Sequence, residues 1–191
     1  VIDSSSAVAP LSLTISDTDP TLSVTGDPSF GALSVVEASG MAGQDSVTIT
    51  APSYSFSAVD GASANVGYSL ALAGETATGL QTTVGNHPIS LVQVNPTTIN
   101  GVYNGGQVAF TISLAGNSVT LTSLVALEHD NTQGPGEDNT LDLGSLINVV
   151  ATVTVTDGDN DQVIDSSSAV APLSLTISDT DPTQSVTGDP S

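Results

Sequence analysis

Phe110-Thr111-Ile112-Ser113-Leu114-Ala115-Gly116-Asn117-Ser118-Val119-Thr120-Leu121-Thr122 is the stretch that decides the fold class. Apolar and hydroxyl side chains alternate on both sides of Gly116-Asn117, the period-two pattern of half-buried strands. A Gly-Asn pair between such runs supplies the positive φ that a tight hairpin needs. The same alternation recurs in Val47-Thr48-Ile49-Thr50, Tyr54-Ser55-Phe56-Ser57 and Tyr68-Ser69-Leu70-Ala71-Leu72. Ile89 to Val94 reads as a more apolar strand, and Val149 to Thr156 as the longest one. Thr and Val, both strand formers, are abundant. Only Leu141 to Asn148 offers a short helix. Many short strands with regular turns predict an all-β fold, an antiparallel β-sandwich of immunoglobulin-like or cadherin-like type with few or no helices.

The apolar share supports folding. Hydrophobic residues make up 38% of the 191 positions, and the 18 glycines bring the total to about 47%, ordinary for a globular domain. The charge is not ordinary. Twenty acidic residues stand against no Lys or Arg, for a formal charge of −20. A balanced chain of this length carries about 20 basic residues. No carboxylate here has a Lys or Arg partner, so self-repulsion opposes the compact state. Solvation alone can serve a dispersed acidic surface, but the acids cluster, which favours neutralisation by a hard divalent cation, calcium above all. Nucleic acid and anionic membrane surfaces are excluded as partners, because both are held through Lys and Arg. No cysteine is present, so disulfides and thiolate metal sites are impossible, and calcium can take the place of a covalent staple. No apolar run reaches transmembrane length.

Residues 1–29 return at 163–191 with one change in 29 positions, Leu22 against Gln184, an offset of 162 residues. Self-similarity at a fixed period marks a tandem array, here of whole domains. The sequence opens in mid-pattern without a leader segment and reads as an excerpt from a longer chain. Leu11 to Ile15 and Leu173 to Ile177 read as the last strand of a unit, and Asp17-Thr18-Asp19-Pro20 as the acidic linker after it. Residues 1–20 are then the tail of a preceding repeat, 21–182 a complete unit, and 183–191 the start of the next. The rival phase, with the unit at 1–162, makes Leu11 to Ile15 a first strand. A duplicated strand with one slot in each sandwich must dangle or pair with a neighbour. A monomer is expected, and a strand-exchanged dimer is the alternative.

Three acidic groups are candidate calcium sites. In Asp157-Gly158-Asp159-Asn160-Asp161, alternate carboxylates can curl around one cation with the spacing that opens an EF-hand loop. Gln162 and Ser168 replace the Gly and Glu which that loop requires, so it is no EF-hand. Glu128 and Asp130, flanking His129, with Glu137 and Asp138 form the second group. The linker acids Asp17 and Asp19, with their copies Asp179 and Asp181, form the third, placed to chelate a cation between consecutive units. Asp60, before Gly61, can complete a site. Glu37, Asp45, Glu75 and Asp142 read as isolated surface charge.

Taken in order, Ala58-Val59-Asp60-Gly61, Tyr68 to Leu72, Ile89-Ser90-Leu91-Val92, Ala109 to Ser113, Ala126-Leu127-Glu128-His129 and Val153 to Asp161 resemble the tandem repeats of type I-secreted RTX adhesins, giant biofilm proteins of Gram-negative bacteria. The resemblance implies calcium-binding extender domains at the bacterial cell surface, outside the cell, with calcium in loops and linkers and a stalk projecting a distal adhesion domain. It places ligands at Asp157, Asp159, Asp161 and the linker acids. Asn160 stands where the family often has Gly, and Asn tolerates the left-handed conformation. The acidic insertion from Asp130 to Asn139 is unusually long for the family.

Enzyme chemistry has no support, since a Cys nucleophile, a G-x-S-x-G elbow and an H-E-x-x-H motif are all missing. A ligand-binding module for carbohydrate or another surface is the alternative function. It is disfavoured by the absence of Trp and by aromatic residues in core-like alternation.

Overall fold

The computed structural model describes residues 10–36, 43–128, 140–165 and 169–178. Its strands in chain order are β1 (Thr21–Val24), β2 (Leu33–Val36), β3 (Gln44–Thr48), β4 (Tyr54–Ser57), β5 (Ala62–Leu72), β6 (Ala77–Gln81), β7 (Pro88–Asn95), β8 (Thr98–Tyr103), β9 (Gln107–Ala115), β10 (Ser118–Ser123), β11 (Thr140–Asp142), β12 (Ile147–Asp157), β13 (Gln162–Asp165), β14 (Val170–Pro172) and β15 (Leu175–Ser178). No helix occurs among the described residues. The expected helix at Leu141 to Asn148 is absent. Thr140–Asp142 is a strand, Gly144 turns the chain at φ 56°, and β12 begins at Ile147. Pairing of β11 with β15 and of β12 with β5 overrides a weak local helical pattern.

One layer is a six-stranded antiparallel sheet in the order β3-β10-β9-β8-β7-β6. The hairpin read at Gly116-Asn117 forms its second and third strands, with Ser118 opposite Ala115 and Leu121 opposite Ile112. Of the turn pair only Gly116 takes a positive φ, 59°. Asn117 instead fastens the edge strand, its carbonyl accepting from the Ile49 amide at 2.7 Å.

The other layer is built on β12, which pairs with β5 over its whole length, from Ile147 opposite Leu72 to Asp157 opposite Ala62. Its far side carries β13 and β14. Beyond them β15 sits between β11, antiparallel, and β2, parallel. The pairings Thr156 with Gln162, Asn148 with Pro172 and Thr140 with Ser178 follow a nearly unbroken register. Strand β12 alone, from Ile147 to Asp157, spans about 33 Å at ~3.3 Å per residue.

The layers enclose one large core, with Phe110, Ile112, Ile99, Leu70, Ile147, Val149, Leu175 and Ile177 all buried. A smaller cluster of Val24, Ala151, Val153 and Ala169 lies toward the other end of β12 and is covered by β1 and β4. Strand β12 alternates without a break. Ile147, Val149, Ala151, Val153, Val155 and Asp157 all face inward, five hydrocarbons and then a carboxylate.

Candidate metal centre

That alternation builds the first half of the site. Asp157 is only 7% exposed because it occupies the next core-facing position of a buried strand. Asp157 is paired with Ala62 at the end of the β5–β12 ladder, which brings Asp60, two residues before Ala62, alongside. Asp159 follows in the turn. Carboxylate oxygens of Asp60, Asp157 and Asp159 lie within 4.8 Å of one another. Asp157 Oδ1 accepts from the Asp161 amide at 2.9 Å, while its Oδ2 is buried without any hydrogen-bond partner. Leaving a buried acceptor unpaired costs about 1–3 kcal/mol, and more for a charged group. A cation held between the three carboxylates removes that cost. Gly158 keeps the space open: a Cβ there would stand 2.6 Å from the Asp60 carbonyl oxygen and 2.8 Å from Asp60 Oδ2.

The turn then reverses. The Asn160 amide donates to the Asp157 carbonyl at 3.3 Å, and the Asp157 amide donates to the Asp161 carbonyl at 3.1 Å. Asn160 takes φ 78°, the left-handed conformation expected of a residue standing in for Gly. This reversal points Asp161 away from Asp157 and toward the linker. Asp161 joins Asp17 and Asp19, again with oxygens within 4.8 Å, but here all three residues are exposed. Asp19 and Asp161 line an open cleft of about 390 Å³ together with Pro20, Gln162 and Val163. The three acids read together in the sequence thus fall in different groups, Asp157 and Asp159 with Asp60, and Asp161 with Asp17 and Asp19. The tight backbone turn divides them between two carboxylate groups.

The family model called Domain of unknown function (DUF5801) matches residues 32–169. The chain belongs to the DUF5801 family. The match takes in β5, β12, Asp60 and the whole Asp157–Asp161 turn, so the buried carboxylate group lies inside the DUF5801 region. Asp17, Asp19, β1 and β15 fall outside it. No curated protein and no solved structure matches the chain.

Electrostatics couples the two groups across the turn. The Asp161 carboxyl is held above its ordinary range, chiefly by repulsion from Asp159, then by partial desolvation, by Asp17 and Asp19, and by a hydrogen bond with Asp17. Both groups offer only hard oxygen donors, with no imidazole or thiolate, the donor set of calcium rather than of a transition metal.

The other acidic candidates stand apart. Glu128 is exposed and joins neither group, and its amide donates to the Gln81 carbonyl at 2.8 Å. Its proposed partners Asp130, Glu137 and Asp138, with His129, lie outside the described residues, as do Asp179 and Asp181. Asp45 does more than the surface charge expected of it. Its Oδ2 accepts from the Ser34 amide at 2.8 Å and fastens β3 to β2. Nothing in composition or spacing singles it out.

Proposed function

We propose that this DUF5801 domain is a calcium-stabilised extender, a spacer repeated in the stalk of a secreted bacterial surface adhesin that projects a distal binding domain. The observation that carries the reading is Asp157 Oδ2, a carboxylate oxygen buried without a partner beside Asp60 and Asp159, in a chain without Lys or Arg. Calcium accepts six to eight oxygens in flexible geometry, and here three carboxylates and the Asp60 carbonyl are at hand.

The spacer half of the proposal is supported by the 162-residue repeat and by the placement of the ends. Asp161 and the linker acids stand at one end of the long ladder and Ser178 at the other. Consecutive units would join end to end, each adding at least the ~33 Å of β12 to the stalk. A cation on Asp17, Asp19 and Asp161 would stiffen the joint. Low calcium inside the secreting cell and high calcium outside would let folding follow export.

A thermal melt by circular dichroism, in excess calcium and in EDTA, tests the metal. At one hundred times its dissociation constant, one site adds about 2.7 kcal/mol. For a chain of this size that is about 5–10 °C of melting temperature. The gain should be reversed by EDTA and not reproduced by sodium at matched ionic strength. Equal melts in both conditions refute calcium stabilisation.

A further inference from the structure

The same strand sequence occupies two environments. Leu173, Leu175 and Ile177 are fully buried, the last two on β15 between β2 and β11. Their copies Leu11, Leu13 and Ile15 are 92, 78 and 87% exposed, on a segment that forms no strand. Three large apolar side chains at alternate positions on an unpaired strand former are an unfilled half of a known fit. The chain itself displays the other half.

We propose that residues 10–16 are a transferable closing strand that docks between β2 and β11 of a second copy of this chain. Sequence identity over the segment means that the slot cannot distinguish donor from resident. Geometry forbids the docking within one molecule. Asp17 is held beside Asp161 at the Asp157 end of β12, and the slot begins at Leu173, whose amide donates to the Ile147 carbonyl at the other end, 10 residues away along β12 or about 33 Å at ~3.3 Å per residue. Ile15 lies two residues from Asp17, a reach of about 7 Å. The donor must therefore enter another molecule, at the end opposite to its own acidic turn. The contact is head-to-tail and open-ended rather than a closed two-fold pair. In the intact chain the resident strand competes at the effective concentration of a tethered segment, in the millimolar range, so exchange stays rare until the resident is weakened.

The inference extends the spacer reading but uses no metal, so its test and the calcium melt can fail separately. The full chain carrying L175D and I177D evicts the resident strand. Light scattering should then find oligomers that grow with protein concentration. Because the chain has no cysteine, Thr14→Cys in one copy should form a disulfide with Ser34→Cys in another, the pairing that Thr176 makes with Ser34 within one molecule. Adding L13D and I15D should return the chain to monomers. If L175D/I177D fails to fold, a peptide of residues 8–19 at about 1 mM should restore at least half of the folded signal, and its L13D/I15D version none. A folded monomeric L175D/I177D chain, oligomers indifferent to L13D/I15D, or an unfolded chain that the peptide does not rescue would each overturn the proposal.

Discussion

Asp157 and Asp161 end the two sides of one tight turn, four residues apart, and their surroundings differ in nearly every respect. Asp157 closes a run of core-facing residues, is nearly inaccessible, and has an oxygen with no partner. Asp161 is exposed, in an open cleft, among acids supplied by the linker. A cation at the first group replaces a buried defect, so its binding energy becomes folding energy. A cation at the second group neutralises charges that water already solvates, where single exposed interactions contribute little. The same residue type in the same motif should therefore do two jobs. On the proposed function, the inner group would hold this fold together and the outer one would fix its neighbour.

The largest expected effect sets the two groups against each other. In excess calcium, Asp157→Asn should lose the inner site and about 2.7 kcal/mol with it. In EDTA the sign should turn, because a neutral amide no longer buries an unpaired charge while its carbonyl still accepts from the Asp161 amide. Melting temperatures of wild type and D157N should cross between the two conditions. The double variant D17N/D19N should move the melt by no more than about 0.5 kcal/mol in either. A D157N loss of equal size with and without calcium would mean that Asp157 only pins the turn, and the contrast would be broken.

A pair of glycines sharpens the same point at intermediate size. Gly158→Ala drives a methyl group against the Asp60 backbone carbonyl, which cannot give way without moving a ligand. It should cost about 1–3 kcal/mol and remove the calcium response. Gly101→Ala drives a methyl into the ring of fully buried Phe110 in the six-stranded sheet. Its cost should be of similar size, about 1–3 kcal/mol, but identical in calcium and in EDTA. If G158A keeps the full calcium response, the inner group is not where the metal acts.

Much of this was legible in residue order. The period-two alternation placed β7, β9, β10 and β12 close to their observed bounds, because one face of each carries buried residues, and it placed β4 although that strand stays largely exposed. Shorter strands such as β6 and β13 were not legible, since their residues are half exposed and their pairing is set by distant partners. The acids of the inner site were visible as candidates, Asp60 included. Their division into two groups was not, because it depends on a backbone reversal within five residues. One further signal lies in the sequence. Continuing the inward series of β12 by one step lands on Asp157, and a carboxylate at a core position is costly unless something pairs with it. The exposed fate of Leu11 to Ile15 was beyond any reading of the segment itself, since an identical sequence is buried elsewhere in the chain.

The smallest expected effect concerns the outer group and pH. The folded chain holds the Asp161 proton more tightly than an ordinary carboxylate does, with Asp159 the first cause. A group whose folded value is raised contributes stability in its protonated form. That contribution is complete below the unfolded value of about 3.9 and is lost as pH rises through the raised value. Above that window the charged Asp161 works against the metal-free fold. Asp161→Asn removes this penalty. In calcium-free buffer the D161N chain should melt with wild type near pH 3.5 and slightly above it near pH 6.5. Calcium at pH 6.5 should then shrink or reverse the gap, because the variant has lost a ligand that the wild type keeps. A gap that is the same at both pH values would place the repulsion elsewhere, and Asp161 would be an exposed carboxylate like any other on this surface.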